Sequence, residues 1–285
     1  MAEHHLTHRQ TETLETMLRY CRPSGSATEQ KFRDRFLLPL PDAHTDPYGN
    51  IIVRVGLRPS VLWSSHTDTV HAASGYQHVV VDHRRQRISL SSHGRATSSC
   101  LGADDTVGVF LMREMIKRAV PGLYIFHWAE EIGSHGARDL AIYSPETLDD
   151  IDFAIALDRR GTGDIVDHQH GRRCCSLEFV DSLATELARH GLRGYSATDG
   201  THTDTAEYTG IVPECTNLSI GYYHAHTTRE YINLHHVARL LYALTHLDQG
   251  RLTCARVLDD GSEVLGVDDE FDDFDAAMWA KLLAL

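Results

Sequence analysis

The chain has 285 residues, 42% of them hydrophobic, which is ordinary for a soluble globular protein and enough for a substantial core. A formal charge of −13 argues against a nucleic-acid partner, because phosphate binding needs clustered Lys and Arg. No apolar run approaches the roughly 20 residues that span a bilayer, so no membrane association is expected.

The polar start MAEHHLTHRQ carries no signal-peptide core, which makes a cytoplasmic protein the expectation. A first amphipathic helix fits Thr11–Tyr20, and a second follows the Pro23-Ser24-Gly25-Ser26 break, over Ala27–Leu38. The turn Asp46-Pro47-Tyr48-Gly49-Asn50 leads into strand Ile51–Val55, with Val61–Ser64 a buried strand after it. Val79–Val81 and Ile88–Leu90 read as a hairpin. From Asp104 onward, helix and strand alternate. A helix face runs through Val107, Phe110, Leu111 and Met115; then come strand Leu123–His127, helix Ala137–Tyr143 and strand Phe153–Leu157. Helix Leu177–His190 ends at Gly191, and strand Cys215–Ile220 and helix Leu234–Leu247 complete the series. Such alternation predicts an α/β fold with a mainly parallel, mixed central sheet and helices on both faces. No linker-like tract interrupts it, so residues 1–250 are expected to form one catalytic domain. Residues 251–285 form an acidic tail, in which Asp259–Asp275 holds nine acids and no base, with a last helix at Ala276–Leu283. Six cysteines without a CxxC pair read as reduced thiols, with Cys174-Cys175 as small helix-core residues.

In an open α/β sheet, ligands bind beyond the carboxyl ends of the strands. His66 and Asp68 follow strand Val61–Ser64, Glu130-Glu131 follow Leu123–His127, Asp158 follows Phe153–Leu157, and His226 comes after Cys215–Ile220. Asp104-Asp105 opens the helix after Gly102. Imidazole and carboxylate together suit zinc, and equally cobalt or manganese. The tripeptides His44-Thr45-Asp46 and His202-Thr203-Asp204 repeat the His66-Thr67-Asp68 pattern without a preceding apolar strand and read as incidental. His71, His127 and His135 read as packed or surface histidines, and Arg159 and Arg160 as candidates for holding a substrate carboxylate.

The strings SSHTDTVH, LGADDTVGV, WAEEIGSHGA, ALDRRG and YYHAHTTREY resemble, in this order, the motifs of the zinc-peptidase clan, whose families are M20, M28 and M42. That resemblance implies two divalent metal ions. His66 and Asp158 would bind one, Glu131 and His226 the other, and Asp104 would bridge them through a residue typically followed by a cis peptide. His224 competes with His226, but only His226 has a small hydroxyl residue next and a glutamate four residues on. Asp68 would orient His66, and Glu130 would be the general base and acid. An acid before the Gly210-Ile211-Val212-Pro213 turn, here Asp204, would lie close to the site. Only 67 residues separate Asp158 from His226, too few for the clan's lid domain beside core elements. The resemblance thus implies a compact, lid-less metallopeptidase, with aminopeptidase preferred and a peptide or N-acyl amino acid as substrate. The alternatives are a non-peptide deacylase, a single-metal glutaminyl-cyclase-like enzyme, and an inactive protein binding a partner through its tail. Oligomeric state is not set by the sequence.

Overall fold

Alternating side chains divide the core into two halves. The computed structural model describes residues 4–258. Along the central strands, Val61, Trp63, Tyr124, Phe126, Ile155 and Leu157 face one hydrophobic cluster, while Leu62, Leu123, Ile125 and Ala154 face another. Period-two alternation puts successive residues on opposite faces, so strands apolar at every position must be covered on both. The first cluster is closed by helices α1 (His8–Met17), α2 (Ala27–Phe36), α4 (Ala103–Ile116), α6 (Leu177–Arg189) and α7 (Leu234–His246); the short α3 (Ser92–Thr97) lies between α2 and α4 in the chain. Ala137 and Leu140 of α5 (His135–Tyr143) help to close the second.

The sheet has nine strands. Its four inner strands, Glu214–Ser219, Phe153–Arg159, Val61–His66 and Gly122–His127, run parallel in that spatial order. Asp164–Gln169 joins Glu214–Ser219 antiparallel on one side, and Ile51–Val55 joins Gly122–His127 antiparallel on the other. Ser196–Gly200 adds to Asp164–Gln169 in parallel. The hairpin Val79–Asp82 and Arg87–Leu90 belongs to a separate four-stranded antiparallel sheet with Tyr222–Tyr223 and Tyr231–Asn233. No described helix is long and apolar enough to cross a membrane.

Capping sets the helix ends. Thr7 and Gln10 form a reciprocal capping box, so α1 starts at His8 and stops at Met17, several residues earlier at each end than the apolar period suggested. Tyr20, expected to end that helix, instead begins the strand Tyr20–Cys21, which pairs with Gly75–Tyr76. Ser26 caps α2 and Ser176 caps α6, while Gly191, at φ +89°, takes the left-handed conformation past the end of α6. Cys174 and Cys175 are not helical as expected; they lie buried in the loop before α6, where both thiols approach the Val166 carbonyl. The sequence read by period alone missed that Ser176, an N-cap residue, follows them. The Ala276–Leu283 helix and the Asp259–Asp275 run lie outside the described residues.

Candidate metal centre

The inner strands end on one side of the sheet, and their last residues and following loops carry the polar groups. His66 closes its strand and is buried. The loop after it is tied down from three directions. The Thr67 hydroxyl donates to Glu29 (2.6 Å), the Thr67 N–H donates to the His127 carbonyl (3.0 Å), and the fully buried Arg22 donates from Nε to the Thr67 carbonyl (2.8 Å). Asp68 then lies beneath the next loop. Its Oδ1 accepts from the Glu130 N–H and its Oδ2 from the Glu131 N–H, each at 3.2 Å, and Oδ1 stands 3.4 Å from His66 Nδ1. One carboxylate therefore positions the histidine and both glutamates.

Asp104 is placed by a different device. The chain reaches it through Gly102 at φ +70°, where a β-carbon would press on the His71 ring at 2.8 Å, and the Asp104–Asp105 peptide is cis. Glu230, almost fully buried, gathers the approach: its carboxylate accepts from the N–H groups of Leu101 (2.9 Å), Gly102 (2.8 Å) and Asp104 (3.2 Å). Asp105 turns inward instead. Its oxygens accept from the N–H groups of His66 (3.2 Å) and Gly108 (3.0 Å), so it braces the loop although it lies near enough to His66 and Asp158 to form a ligand group.

The result is a ring of donors around Asp104. His66 Nε2 lies 3.2 Å from Asp104 Oδ1 and 3.5 Å from Asp158 Oδ1. His226 Nε2 lies 3.2 Å from Asp104 Oδ2 and 3.4 Å from Glu131 Oε2. The two carboxylate oxygens of Asp104 thus face two different histidines, each with its own second acid. His226 holds this place with φ +64°, a conformation costing a residue with a β-carbon about 1–2 kcal/mol. His224 also sits at positive φ, but its ring lies tilted beside that of Tyr231, centroids 5.8 Å apart, and makes no ion pair with the acids of the donor ring. Glu130 Oε2 stands 3.9 Å from His66 Nε2, over the same pocket.

These donors fit divalent cations. Bonds of about 2.0–2.1 Å at tetrahedral angles separate ligand atoms by roughly 3.4 Å, close to the spacings around each histidine. Glu131 Oε1 and Asp158 Oδ1 are buried with no hydrogen-bond partner, which is costly for a carboxylate unless a cation meets it. The electrostatics agree. Burial drives Glu130 well above the usual carboxylate range, with Asp158, Asp204 and Glu131 adding to the effect. Burial and the Asp104 charge raise Asp158 to about 6. Hydrogen bonds to Asp104 and Glu131 push His226 up to about 11. Glu130 and Asp158 are thus incompletely ionised without added positive charge, whereas hydrogen bonds with His226 and His66 overcome burial and hold Asp104 below the usual carboxylate range.

All seven residues named from the sequence, His66, Asp68, Asp104, Glu130, Glu131, Asp158 and His226, therefore meet at one place. Of their supports, the sequence pointed to Asp204 alone, through the turn that follows it. Thr203, within the tripeptide read as incidental, donates to Asp158 Oδ2 at 2.8 Å. Its neighbour Asp204 is buried 3.3 Å from His127 Nδ1, and His127 Nε2 pairs with the Tyr208 hydroxyl at 2.7 Å. Asn217 Oδ1 accepts from the Asp158 N–H, and the Tyr222 hydroxyl donates to the Asp158 carbonyl. The polar run after Gly200 before an apolar turn was the available signal for Thr203; Glu230 was visible only as a spacing mark. His44 is exposed, and Asp46 accepts from the Tyr48 and Asn50 N–H groups within its own turn.

No protein-family model and no curated protein sequence matches the chain. Solved structures do. The aminopeptidase PepT of Bacillus cereus ATCC 10987 superposes with a TM-score of 0.68 at 15% identity, covering 85% of this chain and 97% of its own. A tripeptidase of Staphylococcus aureus subsp. aureus Mu50 gives 0.64 at 17% identity over 84% and 97%. The TET1 peptidase of Pyrococcus horikoshii, which can assemble into a tetrahedron or a large octahedral shell, gives 0.60 at 16% identity over 83% and 99%. Over nearly the full length of each, the chain has the fold of these peptidases.

Proposed function

We propose that this protein is a two-metal aminopeptidase that cleaves a peptide bond near a free terminus. The observation that supports it best is the division of the Asp104 carboxylate between two histidine–acid pairs, His66 with Asp158 and His226 with Glu131. His66 and Asp158 would hold one ion, His226 and Glu131 the other, and Asp104 both. Zinc is the first choice for this donor set, with cobalt and manganese close behind. Such ions, when bound, polarise the scissile carbonyl and make water acidic enough to attack near neutral pH. The remaining work belongs to the chain. Glu130 takes the proton from the attacking water and delivers it to the leaving amine. Asp68 keeps Glu130 in place through the hydrogen bond from its N–H and faces His66 Nδ1 at 3.4 Å, where it would favour the orientation that presents Nε2 to the metal. The protein neighbours named as aminopeptidases and tripeptidases have this fold, which favours a peptide over the other amides.

The interval between Asp158 and His226 supports a body without a lid. Strands Asp164–Gln169, Arg172–Arg173, Ser196–Gly200 and Glu214–Ser219 all join the central sheet, and α6 packs into its core. Free cysteines, five of the six buried, suit a reducing compartment such as the cytoplasm.

Metal analysis combined with Glu130→Gln tests the reading. The expected result is close to two ions per chain, and a fall in kcat of about 10²–10⁴-fold on aminoacyl and tripeptide substrates with the metal retained. Full activity in the variant would sink the mechanism, and a stoichiometry near one would point to a cyclase-like centre.

A further inference from the structure

Strand Ser196–Gly200 pairs with Asp164–Gln169 and with no other described strand, and their register slips once. Val166 lies opposite Thr198 but His168 lies opposite Asp199, so Asp167 is one residue more than the partner strand matches. In a regular strand Asp167 and His168 would point to opposite faces; a bulge re-aims side chains and lifts that alternation. Here Asp167 Oδ2 lies 3.3 Å from His168 Nδ1, and Asp199 Oδ1 lies 3.7 Å from the same nitrogen. One donor atom from each of the three residues fits within 4.8 Å of the others, and none of the three lines the pocket around Asp104.

These donors are short of partners. Asp167 is only 6% exposed, yet its carboxylate accepts no hydrogen bond from any described residue. Besides His168, its cationic neighbour is Arg173, whose Nη1 stands 3.5 Å from Oδ2 and donates instead to the Cys175 carbonyl at 3.4 Å. His168 Nδ1 is itself buried without a hydrogen-bond partner, although two acids flank it. Burying a carboxylate and an imidazole nitrogen unbonded is costly unless a cation meets both. Ligand atoms that share one ion at about 2.0–2.2 Å stand roughly 3.4 Å apart, close to the two spacings around His168 Nδ1. The Asp199 side chain is 91% exposed and free to close on the same point.

We propose that Asp167, His168 and Asp199 bind a further divalent cation of the zinc class, outside the candidate centre, and that this ion clamps Ser196–Gly200 to Asp164–Gln169. One imidazole and two carboxylates suit zinc, cobalt or manganese. Ser196–Gly200 leads directly to Thr203, which donates to Asp158, so the ion steadies a strand that feeds the centre. The inference does not depend on the peptidase reading, because none of these residues takes part in that chemistry. With an exposed carboxylate among its ligands this is the weaker site, emptied by dialysis and filled in excess zinc, in addition to the ions held around Asp104.

Equilibrium dialysis against excess zinc counts the ion. The unaltered chain is expected to bind one zinc more than Asp199→Asn, a change at an exposed side chain that leaves folding intact, and His168→Gln is expected to show the same loss. His44→Gln, at an exposed histidine outside both groups, is the control and should lose none. Failure of the two-ion centre would lower every count alike and leave the difference standing. Hydrogen exchange reads the clamp: zinc should slow the amides of Ser196–Gly200 about tenfold in the unaltered chain and leave them unchanged in Asp199→Asn. Equal counts in the unaltered chain and Asp199→Asn, or as large a loss in His44→Gln, would overturn the site. A difference of one ion without any change in exchange would overturn the clamp.

Discussion

At Glu230 one carboxylate holds three backbone N–H groups on the approach to Asp104, and none of its own atoms reaches the pocket donors. Replacing it by Gln keeps one acceptor but turns an amide donor toward an N–H donor. The approach loop then loses at least one bond, and Asp104 loses its fixed place between the histidines. Supporting groups of this kind are worth 10–100-fold in metal affinity, so Glu230→Gln is expected to weaken zinc binding by about that factor. Competition against a chromophoric chelator measures it, and unchanged affinity would show that the brace is dispensable. Motif strings carry the seven pocket residues legibly because each string is contiguous. Thr203 and Asn217, which hold Asp158 from 45 and 59 residues away, leave no such trace. Their polar side chains look like any loop or strand-end residue until the fold brings them to their partner.

Secondary-structure elements were legible where burial is two-sided. Val61–His66 and Gly122–His127 are buried at every position, so their apolar runs announce strands without ambiguity. Asp164–Gln169 and the strand Ser196–Gly200 beside it are rich in polar residues, and pairing with their neighbours rather than local propensity makes them strands. One polar contact between elements carries a testable pH dependence. Gln10 of α1 donates to Glu114 of α4 at 2.8 Å, and Lys117 and Arg118 close on the same carboxylate at 2.7 and 3.0 Å. Burial alone would raise Glu114, yet the hydrogen bonds from Lys117, Gln10 and Arg118 hold it down to about 2. A carboxyl lowered in the folded state adds stability that is complete above its ordinary value near 4.5 and is lost as pH falls toward 2. Urea unfolding at pH 6 and pH 3 should therefore show the unaltered chain losing more stability than Glu114→Gln. Equal losses would mean that the α1–α4 contact is not ionic in effect.

For the molecule as a whole, the strand order that builds the core also gathers Asp104, Glu130, Glu131 and Asp158 at one end of the sheet. Burying charges costs several kcal/mol each unless opposite charge meets them, and among the described residues Arg22 is the fully buried cation behind this region. Folding and metal binding are then coupled, since the ligands come together only in the native state. At a free metal concentration of 100 Kd, each site adds about 2.7 kcal/mol to the folded state. For a chain of this size, 1 kcal/mol moves the thermal midpoint by roughly 2–4 °C, so two sites amount to a shift of about 10–20 °C. A chelator is expected to lower the midpoint by at least half of that, and zinc to restore it. In Asp104→Asn, which removes the charge shared by both histidine–acid pairs, most of the metal-dependent part of the shift should vanish. A midpoint indifferent to chelator and zinc would mean that the acid cluster is held by the fold alone, and the two-ion centre would have to be given up.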